Sequence, residues 1–367
     1  DTTKWNYNVH VYPKNTLSGV DKQVTDKPAP GSGQNITYTI TTSIPKVDYP
    51  GGARIKRYEV VDQLDKRINK STLAPVVKIV SGQQETVLAD TTDYTLITAE
   101  GTKHNWATIQ LTEEGRRKAA EARHNGNGET KVQVTLTATF DPKSVDLEGV
   151  LSNTAGLIPN DSPNFTWDPN NPGTTTDVPG IPTTPVLSKY GKVNLTKTGT
   201  DKLDDKTKYN GAQFQVYECT KTASGATLRD SDPSTQTVDP LTIGGEKTFT
   251  TAGQGTVTIN SLRANDYVDG VKKDALTDED YYCLVETKAP EGYTLQPDPI
   301  PFRVLATDAE AKVPTEVTVT DVPKNAGFRL PLTGANGVIF LTIAGALLVV
   351  GGAVIAYANK RRHAAKH

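Results

Sequence analysis

Three polar side chains that can react with one another fall on the core-facing side of predicted strands. Lys22 shares strand phase with the apolar residues at 20 and 24, Asp62 with those at 58, 60 and 64, and Asn153 with those at 151, 155 and 157. Side chains of a strand alternate between its two faces. An amine, a carboxyl and a carboxamide are therefore all predicted to face the core of one domain.

These groups are the ones that a spontaneous amide bond between lysine and asparagine requires. A neutral Lys22 amine would attack the Asn153 carboxamide carbon, a protonated Asp62 would polarise the carbonyl and shuttle the proton, and ammonia would leave. At pH 7 a free lysine with a pKa of ~10.4 is about 4.6 kcal/mol from its neutral form, and burial can shift a pKa by about 3 to 5 units. The alternative is that these residues are ordinary half-buried polar groups.

A second amine and a second carboxyl group, further along the chain, also fall on the apolar faces of predicted strands. Lys197 shares a strand face with Val193 and Leu195, whereas Lys192 falls on the opposite face. Glu286 is in phase with the apolar residues at 282 and 284. Lys197 and Glu286 are therefore predicted to face a second core.

The chain closes with a motif, an apolar run and a basic end. The run from Val338 to Ala358 is followed by Lys360-Arg361-Arg362, and about 20 apolar residues in a helix span the ~30 Å hydrocarbon layer. The basic end is predicted to stay in the cytoplasm, which places the preceding chain outside the cell. The motif before the run consists of Leu330, Pro331, Leu332, Thr333 and Gly334.

This motif resembles the LPxTG sorting signal of Gram-positive surface proteins. The resemblance implies that a sortase cysteine attacks the Thr333 carbonyl, that Gly334 leaves with the membrane tail, and that the acyl group passes to an amine. The alternative is a chance pentapeptide ahead of an ordinary anchor.

The opening strand carries a residue that can supply this amine. Strand alternation places Lys14 on the polar, solvent-facing side. The segment resembles the pilin motif WxxxVxVYPK of sortase-assembled pili, through Trp5, Val9, Val11, Tyr12, Pro13 and Lys14. The resemblance implies that Lys14 receives the threonyl group of the next subunit, whereas a lone surface lysine would otherwise only solvate the surface.

The stretch from Tyr282 to Tyr293 resembles the E-box of the same pilins, YxLxETxAPxGY. That resemblance implies that Glu286 is the acid assisting a second intramolecular bond. In such domains the acceptor is an asparagine just before the sorting signal, which here is Asn325, so the expected bond joins Lys197 to Asn325.

Composition and resemblance together predict an all-β extracellular protein. Net charge is −2, methionine is absent, and apolar residues mostly alternate with polar ones. The expected fold is a tandem of immunoglobulin-like β-sandwiches, the first collagen-adhesin A-like and the second B-like, followed by a transmembrane sorting helix. The predicted divisions are a first domain at 1–187, a second at 188–326, the sorting signal at 327–337, the span at 338–358 and the tail at 359–367.

Several remaining segments are predicted to be structural. The run from Thr112 to Asn125 has a threonine cap, early acids and later bases, which favours a surface helix. The segment from Pro159 to Pro185 is rich in turn residues and predicts a long loop or a connector between domains. Its Asp161 and Asp168 could supply oxygen ligands to calcium, although turn loops contain such residues anyway.

The two cysteines, Cys219 and Cys283, fit an oxidising compartment and are predicted to form a disulfide on the strand faces away from Glu286. The alternative is two free buried thiols. No signal peptide precedes Asp1, and relatives usually carry a further domain before the pilin motif. The chain is therefore expected to be processed, trimmed or a shorter variant.

A donor threonine and an acceptor lysine on one chain predict head-to-tail growth of a fibre, because such a contact does not close. The predicted protein is the shaft subunit of a peptidoglycan-anchored surface pilus and not an enzyme, since GxSxG, HExxH, P-loop and GxGxxG motifs are absent. Its expected partners are a pilus-specific class C-type sortase, identical subunits, minor pilins, and peptidoglycan through a housekeeping sortase. It would contact the membrane only before sorting and would bind no nucleic acid. The alternative is a wall-anchored adhesin or an accessory tip or basal pilin that binds a host ligand directly.

Overall fold

The computed structural model describes residues 19–26, 35–50, 54–126, 129–139, 149–160, 166–229 and 238–324. Lys14, Asn325, the sorting signal and the run from Val338 to Ala358 lie outside these ranges. Within them, no helix is long and apolar enough to cross a membrane.

The described residues of the first half of the chain form a β-sandwich with one α-helix and a short 3-10 helix at Lys70–Thr72. Its elements are β1 Val20–Thr25, β2 Asn35–Ser43, β3 Glu59–Leu64, β4 Ala74–Ser81, β5 Gln84–Val87, β6 Tyr94–Glu100, β7 Asn105–Leu111, α1 Glu113–Asn125, β8 Lys131–Thr139, β9 Gly149–Ile158 and the short β10 Ile181–Pro182.

One sheet of this sandwich has the strand order β1-β2-β8-β4-β5. The facing sheet has the order β9-β3-β7-β6, with β10 paired to β9. Alternate residues of β2 and β8 are buried between the sheets, including Ile36, Ile40, Val134 and Leu136. This period of two is the pattern expected of strands that bury one face.

The second half of the chain forms another sandwich. Its elements are β11 Val186–Gly199, β12 Gln213–Thr222, β13 Gly225–Leu228, β14 Phe249–Thr250, β15 Thr256–Arg263, β16 Tyr267–Val268, β17 Val271–Lys272, β18 Tyr281–Lys288, β19 Ile300–Phe302, α2 Ala306–Ala311 and β20 Thr315–Asp321.

In this sandwich β11 pairs with β15 antiparallel and with β20 parallel. The facing sheet has the order β13-β12-β18-β19, with β14 also paired to β12. Leu195, Phe214, Val216 and Leu284 are fully buried between the two sheets. The tandem sandwiches confirm the predicted all-β fold class.

Strand β11 belongs to both sandwiches. Its first residues pair with β9, with Val186 opposite Asn153, and its later residues pair with β15 and β20. The predicted boundary between residues 187 and 188 thus falls inside a strand, and the division of the chain into domains stays a prediction.

The segment between β9 and β11 was predicted as a loop or a connector, and it folds back as a loop on the first sandwich. Trp167 packs against Trp106 with ring centroids 5.0 Å apart, and the Trp167 carbonyl accepts a hydrogen bond from Arg57 at 3.1 Å.

Helix α1 confirms the helix predicted after Thr112. The Thr112 hydroxyl accepts a hydrogen bond from the Gly115 backbone N–H at 3.2 Å and donates one to the Thr92 carbonyl at 2.6 Å. A capping hydroxyl satisfies an N–H group that the first turn of a helix leaves unpaired, which is why the helix begins there.

Candidate functional site

The first candidate site lies between the two sheets of the first sandwich. Lys22 comes from the edge strand β1, and Asp62 and Asn153 come from the adjacent strands β3 and β9 of the facing sheet. Asp62 pairs with Ala155, so Asp62 and Asn153 are diagonal neighbours on one face. The exposed fractions of Lys22, Asp62 and Asn153 are 5%, 0% and 1%. The structure thus brings together the three residues that strand phase singled out.

The Lys22 Nζ atom lies 2.7 Å from Asp62 Oδ1, and the two side chains are 0% and 1% exposed. Burial lowers the pKa of Lys22, against the attraction of Asp62. Burial also raises the pKa of Asp62, against the attraction of Lys22. Both shifts favour a neutral amine beside a neutral carboxylic acid, the protonation states that amide formation needs.

Asn153 is held in place by its strand more than by hydrogen bonds. Neither atom of its carboxamide makes a hydrogen bond of ordinary geometry, and Asp62 Oδ2 also lacks one. Buried polar groups normally have hydrogen-bond partners, so these three atoms without one call for an explanation. An arrangement poised for reaction, in which a covalent bond would replace the missing contacts, provides one.

The second candidate site lies in the core of the second sandwich. Lys197 on β11 contacts Glu286 on β18 at 2.9 Å and makes a close hydrogen bond to Asp321 Oδ1 on β20. The exposed fractions of the three residues are 0%, 3% and 2%. One buried amine therefore faces two buried carboxyl groups from different strands.

The Glu286 carboxyl group is oriented by its surroundings. The Gln296 backbone N–H donates a hydrogen bond to Glu286 Oε2 at 2.7 Å, which leaves Oε1 toward Lys197. Burial raises the pKa of Glu286, and the hydrogen bond from Gln296 and the contact with Lys197 oppose that rise. A raised pKa favours the protonated form of this carboxyl group, and the role of Glu286 as the assisting acid stays a prediction of the E-box resemblance.

Asp321 was missed by the sequence reasoning, which looked for an asparagine and chose Asn325. Asn325 lies outside the described residues, so its own position remains untested. A signal for Asp321 was present, because it shares strand phase with Val317 and Val319. In the structure the parallel register sets Val319 beside Lys197, with Asp321 two residues further on.

The remaining E-box residues build the strand and turn that hold Glu286. The Tyr282 hydroxyl donates to the Arg263 carbonyl at 2.9 Å, and the Tyr293 hydroxyl donates to Asp201 at 2.7 Å. Gly292 has a φ of +86°, a conformation that glycine adopts without steric cost. The motif thus joins a buried acid to a tight turn anchored by two tyrosines.

The predicted disulfide is present. Cys219 on β12 and Cys283 on β18 are joined, with their Cα atoms 5.8 Å apart. It links two adjacent strands of the sheet that carries Glu286.

The calcium candidates do not form a site in the described part of the chain. Asp161 lies outside it, and the exposed Asp168 accepts a hydrogen bond from the Asn170 backbone at 3.0 Å, an ordinary turn contact. No group of three or more histidine, cysteine, aspartate or glutamate side chains suited to a metal occurs among the described residues.

Comparison with known proteins gives this arrangement a context. The LPXTG cell wall anchor motif matches residues 322–365, and the prealbumin-like fold domain matches residues 191–322. The fimbrial subunit type 1 of Actinomyces viscosus is 88% identical over 367 residues, which cover 100% of this chain and 68% of that protein.

Solved structures agree with the fold. The fimbrial protein FimP from Actinomyces oris matches with a TM-score of 0.78 at 87% identity, covering 88% of this chain and 72% of that one. The major pilin SpaD from Corynebacterium diphtheriae matches with a TM-score of 0.58 at 24% identity, covering 84% of this chain and 65% of that one, and supports the fold alone.

The anchor motif places the chain at the Gram-positive cell wall, and the extent of the identity to a fimbrial subunit is far beyond a shared fold. The chain belongs to the family of LPXTG-anchored fimbrial subunits, the structural proteins of Gram-positive surface pili.

Proposed function

We propose that this fimbrial subunit forms a covalent pilus shaft in which self-made amide bonds carry tension through each subunit. The observation that supports this most directly is the burial of Lys22 beside Asp62 and Asn153, across the two sheets of the first sandwich. A buried pair of an amine and a carboxyl group contributes little to stability, and a chain that only needed a stable core would place apolar side chains there.

In the first sandwich the reaction joins Lys22 to Asn153. The lysine Nζ attacks the carboxamide carbon, and Asp62 donates its proton to the carbonyl oxygen while accepting one from the amine. Asp62 then passes the proton taken from the amine to Nδ2 and takes back the one on the oxygen; the carbonyl re-forms, the bond from the Asn153 Cγ atom to Nδ2 breaks, and ammonia leaves. The product is a neutral amide, so neither an ionisable amine nor a free carboxamide remains at this place in the core.

In the second sandwich the same chemistry joins Lys197 to Asp321, with Glu286 as the acid. Here the acceptor is a carboxyl group, so the new amide bond releases water instead of ammonia. The contacts of Lys197 with Glu286 and Asp321 support this choice over Asn325.

Sortase-mediated polymerisation is implied by the anchor motif and the pilin relatives. We assign the junction to Thr333 of one subunit and Lys14 of the next, formed by a pilus-specific sortase of class C type. Minor pilins would join through their own sorting signals, and a housekeeping sortase would attach the finished fibre to peptidoglycan. The membrane span would serve only before sorting.

Mass spectrometry of the purified chain tests the intramolecular bonds. The Lys22–Asn153 bond removes about 17 Da and the Lys197–Asp321 bond about 18 Da from the sequence mass. Crosslinked peptides after digestion identify the acceptor in each sandwich. Asp62→Ala should abolish only the first mass deficit, and Glu286→Ala only the second.

A peptide that links Lys197 to residue 325 would replace Asp321 by Asn325 as the acceptor. A chain of full sequence mass would remove the crosslinks from the proposal. Incubating purified subunits with and without the pilus sortase tests the junction separately. Lys14→Ala should stop polymer growth while leaving both mass deficits in place.

A further inference from the structure

A groove of about 410 Å³ lies between helix α1 and the segment that follows strand β2. Its apolar lining comes from both elements and from the chain that leads into β3, namely Val47, Tyr49, Pro50, Ile55 and Ala120. Ile55 and Ala120 are buried, whereas Val47 and Tyr49 are half-buried. Ligand sites of proteins typically measure ~300–1,000 Å³, so the groove is large enough to hold side chains of a bound peptide.

Charged residues border the groove, and one acid among them is weakly engaged. Arg116 donates hydrogen bonds to two backbone carbonyls, at 3.2 and 2.6 Å, and Arg117 is paired with Glu114 at 2.7 Å. Glu113 is 3.8 Å from Arg54, and these two side chains are 86% and 77% exposed. Exposed pairs of this kind contribute little to stability, so Glu113 can exchange its partner for an arginine of another chain.

The groove lies at the end of the first sandwich where the chain enters it. The Ser43 backbone N–H donates to the Gly19 carbonyl at 2.9 Å, so the chain before Gly19 and the chain after Ser43 leave the same end of the sheet. Val47 is four residues after Ser43, and Lys14 is five residues before Gly19. At ~3.4 Å per residue Lys14 is within about 17 Å of Gly19, which puts the groove within its reach.

The described chain ends at the opposite end of the two sandwiches. Strand β9 pairs with the start of β11 through Gly149, on the side of the second sandwich, and its other end, Ile158, pairs with Glu59 on the side of the groove. Strand β20 runs parallel to β11, away from the first sandwich, and Lys324 follows it. There the Lys324 N–H donates to the Gly292 carbonyl at 2.8 Å. The groove and the departing chain therefore lie at opposite ends, as head-to-tail joining requires.

The segment of eight residues between Lys324 and Thr333 has a pattern that matches the groove. Alternate residues share one face of an extended segment, which here carries three apolar side chains: Phe328, Leu330 and Leu332. Arg329 is the only charged residue of the segment and falls on the other face. The segment thus offers apolar groups to the lining of the groove and a positive charge to its border.

We propose that the groove beside α1 binds residues 325–332 of the neighbouring copy whose Thr333 is joined to Lys14, with Arg329 paired to Glu113. This inference rests on the proposed junction and adds a docking surface to it. The covalent link holds the segment near the groove at an effective concentration on the order of 1 mM, so a weak contact is sufficient for docking.

Hydrogen exchange followed by mass spectrometry, in sortase-linked fibres and in the unlinked chain, tests the docking. The reporter is the peptide 44–49, which borders the groove and lies outside the strand ladders. We expect its amides to exchange about two- to tenfold more slowly in fibres, because a tethered segment at a concentration of ~1–10 mM stabilises even a weak site. The turn at 101–104, at the other end of the sandwich, should exchange equally in both samples.

Charge reversal tests the pairing of Arg329 with Glu113. Glu113→Arg sets like charges opposite each other and should reduce the protection of the reporter in fibres by about two- to fivefold. Arg329→Glu alone should do the same. The two substitutions together should restore the protection, because they re-form a pair of opposite charges.

Glu279→Arg is the matched control. Glu279 is an exposed acid in the loop before β18 of the second sandwich, so its reversal changes net charge equally and leaves the groove alone. We expect fibres of this variant to show the protection of the wild type. Loss of protection in this variant, or no recovery in the double variant, would overturn the pairing of Arg329 with Glu113.

Equal exchange of the reporter in fibres and in the unlinked chain would overturn the docking, and this includes the case in which the chain's own first residues already fill the groove. The proposed function fails by a different result. If fibres contain no peptide that joins Thr333 to Lys14, the junction is wrong and the docking falls with it. If that peptide is present and the exchange is unchanged, the junction stands and only the docking is wrong.

Discussion

At the scale of single residues, this protein places ionisable groups where water cannot reach them. Lys22 and Asp62 are both fully enclosed, and their pKa values move toward each other because burial penalises the charge on each. Such an ion pair contributes little to stability, since the loss of hydration offsets the attraction. The burial of this pair is understandable if Lys22 and Asp62 are the reacting amine and the assisting acid of an amide bond.

The unreacted pair should leave a signature in the pH dependence of stability. In Asn153→Ala the acceptor is gone and the pair persists. The raised pKa of Asp62 means that the folded chain binds more protons than the unfolded one above pH ~3.9, so the free energy of unfolding should fall as pH rises from there. The lowered pKa of Lys22 means that the unfolded chain binds more protons below pH ~10.4, so stability should rise again toward that value.

Urea unfolding of Asn153→Ala at a series of pH values measures this dip. The control is the same variant with Lys22→Met and Asp62→Leu added, which lacks the titrating pair and should lose the dip. A dip of equal depth in both proteins would show that other groups cause it.

At the scale of elements, each reacting group is delivered by a strand whose neighbours set its position. The acids lie on central strands, Asp62 on β3 between β9 and β7 and Glu286 on β18 between β12 and β19. Lys22 lies on the edge strand β1, and Asp321 lies on β20, which pairs with the strand that carries Lys197. Each proposed bond therefore ties the first strand of its sandwich to a late one.

The disulfide between strands β12 and β18 should stabilise the second sandwich by a measurable amount. Cys219 and Cys283 are 64 residues apart, and closing a loop of that length costs the unfolded chain about 4 kcal/mol in the simple entropy model. In Glu286→Ala, where the amide bond is absent, adding Cys219→Ser and Cys283→Ser should lower the free energy of unfolding by up to this amount.

Urea unfolding of the second sandwich, compared between the two proteins, measures this difference in the free energy of unfolding. In the chain that retains the amide bond, the same two substitutions should cost less, because the larger covalent loop already restricts the unfolded state. An equal cost with and without the amide would contradict this account.

At the scale of the whole molecule, the two sandwiches are joined without a flexible linker. Strand β11 runs from one into the other, Asp26 and Asp269 exchange backbone-to-carboxylate hydrogen bonds of 2.9 Å each, and the buried Arg263 lies 3.9 Å from Asp26. Leu187 also packs against Ala264 and Ala306. Tension entering near β1 would therefore pass directly to the second sandwich.

The proposed bonds leave one stretch of this path uncrosslinked. Tension would cross from Lys22 to Asn153, follow the backbone to Lys197 and cross to Asp321. Between Asn153 and Val186, which face each other in the β9–β11 ladder, the backbone makes a loop that neither proposed bond spans, and the ladder hydrogen bonds hold its two ends together. Those strands would be loaded in shear, so the loop should open only at high force.

Single-molecule stretching between the chain ends should show this loop as the main extensible part. At ~3.4 Å per residue its release lengthens the chain by at most about 110 Å. A chain with Lys22→Ala and Lys197→Ala should instead extend by up to about 650 Å more, because both sandwiches can unravel except for the 64-residue loop that the Cys219–Cys283 disulfide keeps closed. Equal extensions in the two proteins would show that the amide bonds do not carry the tension.

Local pattern was enough to predict much of this protein. The period of two predicted correctly that five polar residues face the core, namely Lys22, Asp62, Asn153, Lys197 and Glu286. A strand that buries one face carries apolar residues at every second position, so a polar residue in the same phase is buried with them. The helix after Thr112 was also predictable, because the residues that cap a helix lie next to it in sequence. The disulfide was predictable because the chain has two cysteines, which can pair only with each other. Lys14 and Thr333 remain predictions carried by their motifs.

Only the tertiary structure showed which of these groups meet. Asp321 becomes a partner of Lys197 through the parallel pairing of β20 with β11, a contact 124 residues apart along the chain. Gln296 reaches Glu286 in the same way, from a segment that sequence alone does not align with it. The physical reason is that burial is a property of one strand and its period, whereas a reaction depends on the register and packing between strands that are distant in sequence.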